Sequence, residues 1–202
     1  MIQSVLGERE RHHLDGTHTK FGVDIGCLGP CAGGYWTQTN FHRLLNQPLP
    51  QGWSTQVKNE AGVVLYGSVA PVRWNFGPSV DVTPDLHGRF GNIFTDVGAT
   101  VLVRAGHLNI LPDQPTLHGF VRLDARAVGY DATLQGGYFS SGNFYTADPK
   151  RYVGEAEIGM AWIRGPYGAR ISLVRRSNEI VGLSNAIGAQ NFGRVQLSYT
   201  PQ

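Results

Sequence analysis

Apolar and polar residues alternate one by one along most of this chain, the pattern of β-strands whose two faces meet different surroundings. Residues 93–105 put Val97, Ala99, Val101 and Val103 on one face and Asp96, Gly98, Thr100 and Arg104 on the other. Residues 118–134 set Val121, Leu123, Ala125 and Ala127 against Arg122, Asp124 and Arg126. Residues 151–164 set Tyr152, Ala156, Ile158, Met160 and Trp162 against Glu155, Glu157 and Gly159. Residues 58–70 alternate in the same way, with Ala61, Val63, Leu65 and Val69 opposite Glu60, Gly62, Val64 and Ser68. Weaker strands fall at 79–89, where Pro84 implies a bulge or a strand end, at 168–178, and at 191–200. In the last of these Phe192 is grouped with Val195, Leu197 and Tyr199. The polar opening, residues 1–19, holds a strand end at Ile2 to Leu6 and a turn at Asp15-Gly16. Residues 107–117 and 136–149 read as loops. The expectation is eight or nine antiparallel strands in a single domain, 1–202.

One stretch breaks this pattern. Phe21, Val23, Ile25 and Cys27 alternate with Lys20, Gly22, Asp24 and Gly26, and then Gly29-Pro30 stops the strand. Tyr35 to about Gln47 lacks Gly and Pro and reads as a short helix, closed by Pro48 and Pro50. Gly52-Trp53 leads to the next strand. A lone helix among strands marks a candidate site. Cys27 and Cys31, spaced CLGPC, either close a small disulfide loop in an oxidising compartment or stay as two unpaired small residues near a turn. Two thiols alone do not make a structural zinc site.

Strand length decides between architectures. The strands run to roughly 9–15 residues, whereas globular strands usually have about five or six and tilted membrane-crossing strands about nine to eleven. One face of each is small or aliphatic. The other carries charges that are costly against lipid but tolerable in a wet lumen. An outer-membrane-type β-barrel therefore fits better than a sandwich, and a soluble β-barrel ligand-binding protein is the alternative. Composition agrees: charged residues make up only 16%, Gly is abundant at 27 residues, and Trp, Tyr and Phe number 4, 8 and 9. The formal net charge of +2 gives no reason to expect nucleic acid. No apolar run reaches the roughly 18 residues of a membrane helix. The first residues, MIQSVLGERERHH, lack the apolar region of a signal peptide.

The segment GVDIGCLGPCAGGYWTQTNFHRLL, followed by GWSTQVKNE, resembles the lipid A 3′-O-deacylase family of Gram-negative outer membranes. The residues that carry the resemblance are Gly26, Gly29-Pro30, Gln38, His42-Arg43, Gly52-Trp53, Gln56 and Asn59-Glu60, together with the run from Gly88 to His107. The resemblance implies a twelve-stranded antiparallel barrel in the cell outer membrane, of which this chain would supply eight or nine strands and one short helix near residues 35–47. It implies calcium-assisted hydrolysis of acyl chains esterified at the 3′ position of lipid A, with lipopolysaccharide as partner. His42 matches the catalytic histidine, the general base. Gln38 lies four residues before it, on the same helix face. Gln38 and Gln56 are expected to support the histidine or bind substrate, and Arg43 to meet a lipid A phosphate. Trp53 is expected to anchor at the membrane interface.

The chain departs from the family in two respects. The other catalytic residues and the calcium-site carboxylate belong to early strands that would precede residue 1, so the chain is expected to be truncated at its N-terminus or shortened. The family also has an acidic residue shortly after the histidine, and here Pro48 stands at that spacing within NQPLPQ. A non-catalytic outer-membrane barrel is therefore the runner-up.

Overall fold

A computed structural model describes residues 5–12, 17–108, 116–140, 142–143 and 145–199, in backbone alone at 5–10 and 12. Ten strands form one antiparallel sheet: β1 (Val5–His12), β2 (His18–Leu28), β3 (Glu60–Ala70), β4 (Trp74–Asn75), β5 (Val80–Gly91), β6 (Phe94–His107), β7 (Thr116–Asp131), β8 (Tyr152–Arg164), β9 (Tyr167–Arg176) and β10 (Gln190–Tyr199). Nine of them pair in chain order, and the two-residue β4 pairs with β5. The fold is an all-β, antiparallel barrel wall of up-and-down hairpins. The main helix, α1 (Gly34–Leu44), lies between β2 and β3. Two single-turn helices, α2 (Ala132–Gln135) and α3 (Asn185–Gly188), sit in loops at the same end of the wall.

The two faces divide as the alternation requires. Val97 is 63% exposed and Leu123 55%, and both point outward with Ile158, Ile171 and Leu173. Inward positions carry charge, and the strand register lines it up in rows. One row runs through Thr100, Asp124, Glu155 and Arg176. Arg122 donates to Asp124 and Glu155, at 3.2 Å each. Arg176 donates to Glu155 at 2.7 Å. In the next row Glu157, 1% exposed, accepts from Arg194 at 3.0 Å and from Ser172 at 2.6 Å, with Arg170 at 3.1 Å. At the opposite end Asp81 is fully buried between Arg73 and Arg104. Each of these buried carboxylates thus meets cations that offset its desolvation.

Several expectations shift. The strand count reaches ten because β4 escapes a pattern test at two residues. β1 spans Val5–His12 instead of ending at Leu6, and Asp15-Gly16 lies outside the described residues. Pro84 sits inside β5, where no bulge occurs. It faces Val101 of β6, and its other side lies between the end of the β4 ladder at Val82 and the start of the β3 ladder at Leu86, where no donor is required. Phe192 belongs to the inner face: its ring lies 5.7 Å from the Arg194 guanidinium and 5.8 Å from that of Arg176. Residues 192 and 195 have opposite parity, so the two side chains cannot share a strand face.

The apolar core is small and local. Leu28, Val64, Ile93 and Ala132 form a plug at the α1 end, backed by Val57, Phe94 and Tyr130. This cluster packs together the ends of β2 and β6, Val64 of β3 and the start of α2, the strand ends beside the candidate site.

Candidate functional site

Helix α1 is placed by its ends more than by burial, since Thr39 is its one buried residue. At the entrance β2 runs into Gly29, whose φ of +92° suits glycine. A Cβ there would lie 2.6 Å from the Lys58 carbonyl oxygen, so glycine also lets the turn approach the strand leading to β3. A 3-10 turn, Pro30–Ala32, follows. Cys27 and Cys31 are joined by a disulfide across this turn, with Cα atoms 6.0 Å apart. The Cys31 backbone N–H donates to Asn59 Oδ1 at 2.7 Å. Trp53 packs under the first turn of α1, edge-on to Tyr35 with ring centroids 5.6 Å apart, and its indole N–H donates to the Pro50 carbonyl at 2.9 Å. It therefore supports the helix.

The exit differs from the expectation. The helix stops at Leu44, and the prolines do not stop it. Asn46 adopts φ +53°, the one positive φ among described non-glycine residues. Its N–H donates to the Arg43 carbonyl at 3.2 Å, and the Gln47 N–H donates to the His42 carbonyl at 2.8 Å. These two bonds make a Schellman cap with Asn in the left-handed position. The cap folds the chain back so that the Pro48 carbonyl reaches His42. Nδ1 of His42 lies 2.6 Å from that oxygen. A carbonyl can only accept, so Nδ1 carries a proton, and in the neutral ring Nε2 is the nitrogen left with a lone pair.

Beside the helix lies a cleft of about 230 Å³. Thr37 and Gln38 of α1 line one side, and Trp53, Gln56 and Val57 line the other. The structure thus brings Gln38 and Gln56 to one cleft. His42 is half-buried and one turn farther along the helix, outside the lining. Arg43 is exposed on the last turn and also lies outside it. No carboxylate among the described residues lines the cleft. Among the described residues no group of three His, Cys, Asp or Glu side chains gathers as a metal site.

Sequence reasoning gave Glu60 no role in the site. Its carboxylate is 5% exposed and accepts from the backbone N–H groups of Tyr138, Phe139 and Ser140 at 2.7, 3.2 and 3.1 Å. The Asn92 amide adds a fourth bond at 3.0 Å. Asn143 Oδ1 accepts from the Lys58 N–H at 2.9 Å, tying the same loop to the segment that carries Gln56. The signal was present in the Asn59-Glu60 pair, two polar residues entering a lipid-crossing strand. The loop that Glu60 captures follows almost eighty positions later, and no local pattern pairs them.

The outward side of α1 is apolar. Trp36, Phe41 and Leu44 are 70%, 57% and 79% exposed, and Leu45 and Leu49 extend the patch. Such a surface is costly in water and suits the boundary of a bilayer.

The sequence model described as Outer membrane protein LpxR matches residues 3–201 of this chain. The chain belongs to the LpxR family. It is an outer-membrane protein, and the exposed apolar wall faces lipid. The backbone is also similar to a solved structure, LpxR from Salmonella typhimurium, with a TM-score of 0.75 at 21% identity over 95% of this chain and 70% of that one. That likeness is one of fold. No curated protein matches the sequence.

Proposed function

We propose that this LpxR-family chain hydrolyses acyl esters of lipid A at the α1 site, with His42 as general base. One observation carries the reading: the Pro48 carbonyl holds Nδ1–H of His42 at 2.6 Å, so the neutral ring presents the Nε2 lone pair. The backbone oxygen does for the imidazole what an acidic partner would do, orienting it and fixing its tautomer. Nε2 takes a proton from water as the water oxygen attacks the ester carbonyl. The imidazolium then returns that proton to the departing sugar oxygen, leaving a free fatty acid and a hydroxyl. Gln38 and Gln56 face one cleft, and their amide N–H groups supply donors for the oxyanion. The exposed Trp36, Phe41 and Leu44 seat the helix in the lipid surface from which the substrate comes. Arg43, exposed on the last turn, is suited to a substrate phosphate.

Calcium belongs to this reading through the family resemblance. The described residues offer it no set of three charged or imidazole donors, and no step here runs through the ion. That no described carboxylate lines the cleft favours a second reading, a barrel that keeps the scaffold without the chemistry.

The test is mass spectrometry of lipid A incubated with the purified protein in detergent, with and without calcium. Wild type should release a fatty acid and leave lipid A lighter by that acyl group. His42→Ala should lose roughly 10²–10⁴-fold of that rate, the usual contribution of a general base. Unchanged lipid A masses with wild type would favour the non-catalytic barrel.

A further inference from the structure

Among the described strands, charge almost always points into the lumen. Arg89, Arg104, Arg122, Arg126, Arg170, Arg176 and Arg194 all lie near a carboxylate there. Arg175 departs from this. Its parity matches Ile171 and Leu173, so it points outward, and it is exposed with no carboxylate partner among the described residues. It stands one residue from the end of β9, at the α1 end of the wall.

A groove lies beside it. The outward row Val121, Ile158, Leu173 is continuous by register and ends at Gly193. The next row toward the α1 end reads Ala156, Arg175, Asn191. The small residues Ala156 and Gly193 thus interrupt the branched side chains and leave a groove of about 550 Å³ on the outer wall. That size lies within the roughly 300–1,000 Å³ of small-molecule sites. Arg175 and Asn191 line its end nearest α1.

We infer that this groove binds one acyl chain of a lipid A molecule, with the Arg175 guanidinium on its phosphate and the Asn191 amide on its sugar. The chain lies against Val121, Ile158 and Leu173. The phosphate supplies the partner that Arg175 lacks among the described residues, and guanidinium–phosphate pairing is charge-assisted. An arginine near a strand end reaches the headgroup layer by extending its stem along the wall. The α1 cleft is lined by Leu28 at the end of β2, the α1 segment, residues 53–57 and Thr133 of α2, whereas this groove is lined by outward residues of β7 to β10. It is therefore a second lipid site. The choice of lipid A over a phospholipid rests on the proposed function, which puts lipid A in the leaflet at this end.

Gly193 provides the test. A Cβ there would meet nothing within 4 Å, so a side chain can fill the groove without strain. The full chain is purified in detergent, and native mass spectrometry counts retained lipid A against phosphatidylglycerol added at equal concentration. Wild type should retain lipid A in preference. Gly193→Leu and Arg175→Gln should each weaken retention about tenfold, as expected for one lost charge-assisted contact or a filled cavity. Ile158→Trp fills the groove from the other side and should do the same if Gly193→Leu folds poorly. Gly193→Leu and Arg175→Gln should hydrolyse lipid A at the α1 site as fast as wild type does, which separates this site from catalysis. Equal retention of lipid A by all three groove variants, or preference for phosphatidylglycerol, would overturn the inference.

Discussion

Replacing Glu60 by Ala should release the loop around residues 138–140 while leaving the barrel folded. The carboxylate accepts three backbone N–H groups and one side-chain amide. Hydrogen bonds to a charged acceptor contribute about 1.5–3 kcal/mol net, so the four together supply about 6 kcal/mol at the lower bound. Ordering the backbone of residues 138–140 costs about 1 kcal/mol per residue at the low end. The difference, about 3 kcal/mol, is what holds the loop against the mouth of the barrel. Its loss should speed amide exchange at residues 138–140 by roughly a hundredfold. Hydrogen–deuterium exchange in nanodiscs, read on the peptides covering residues 136–143, measures this directly. Strand β7 should keep wild-type protection in the same experiment. Gly137→Ala tests the clamp from the other partner, because a Cβ at Gly137 would collide with the Glu60 carboxylate. If exchange at 138–140 matched wild type in both variants, the hydrogen bonds would not be what holds the loop, and the reasoning fails. The consequence for the site passes through Asn143, which holds the Lys58 N–H two residues from Gln56. A freed loop should therefore lower hydrolysis, with the Gln56 wall of the cleft loosened.

Other changes separate local from global effects. Glu157→Ala leaves Arg170 without its buried carboxylate and Arg194 with Glu155 alone, and should destabilise the wall by about 3–5 kcal/mol, read as a lower midpoint for loss of the compact band on heated electrophoresis. The Cys27→Ser, Cys31→Ser double variant opens a five-residue loop and should cost about 2 kcal/mol locally. Its signature is altered Trp fluorescence from Trp53 and reduced hydrolysis, with the barrel midpoint unchanged. Asn46→Val puts a β-branched residue in the left-handed position and should weaken the cap by about 1–2 kcal/mol, whereas Asn46→Gly should preserve hydrolysis. Equal loss in both Asn46 variants would mean that the side chain matters for something other than its backbone conformation.

The wall was legible because alternation in a membrane barrel is enforced from both sides. Lipid rejects charge on one face and the lumen tolerates it on the other, so Val121 and Arg122 declare their directions without any tertiary knowledge. Where this constraint relaxes, reading by pattern fails. Phe192 is apolar, yet it points inward because stacked guanidinium groups accept an aromatic face. The helix end was misplaced by a few residues because Pro48 and Pro50 are loud signals and Asn46 is a quiet one. A left-handed Asn announces itself only through the bonds that close around it.

The candidate site was legible to different depths for a physical reason. His42, Gln38 and Gln56 are side chains, and a motif can carry them. The group that orients His42 is a main-chain carbonyl, which every residue at that position would possess. Substitution of an acidic residue by proline reads in sequence as the loss of a function. In three dimensions the Schellman cap turns the chain so that the backbone of that same residue reaches the ring. Glu60 is a similar case, a carboxylate three of whose four partners are backbone amides and therefore equally invisible. In this protein the parts that hold the site in place are mostly main-chain groups, fixed by two turns and a clamp, while the strands below supply only a rigid platform. A variant that alters those turns should thus change the chemistry without changing the barrel, and a lumen variant should do the reverse.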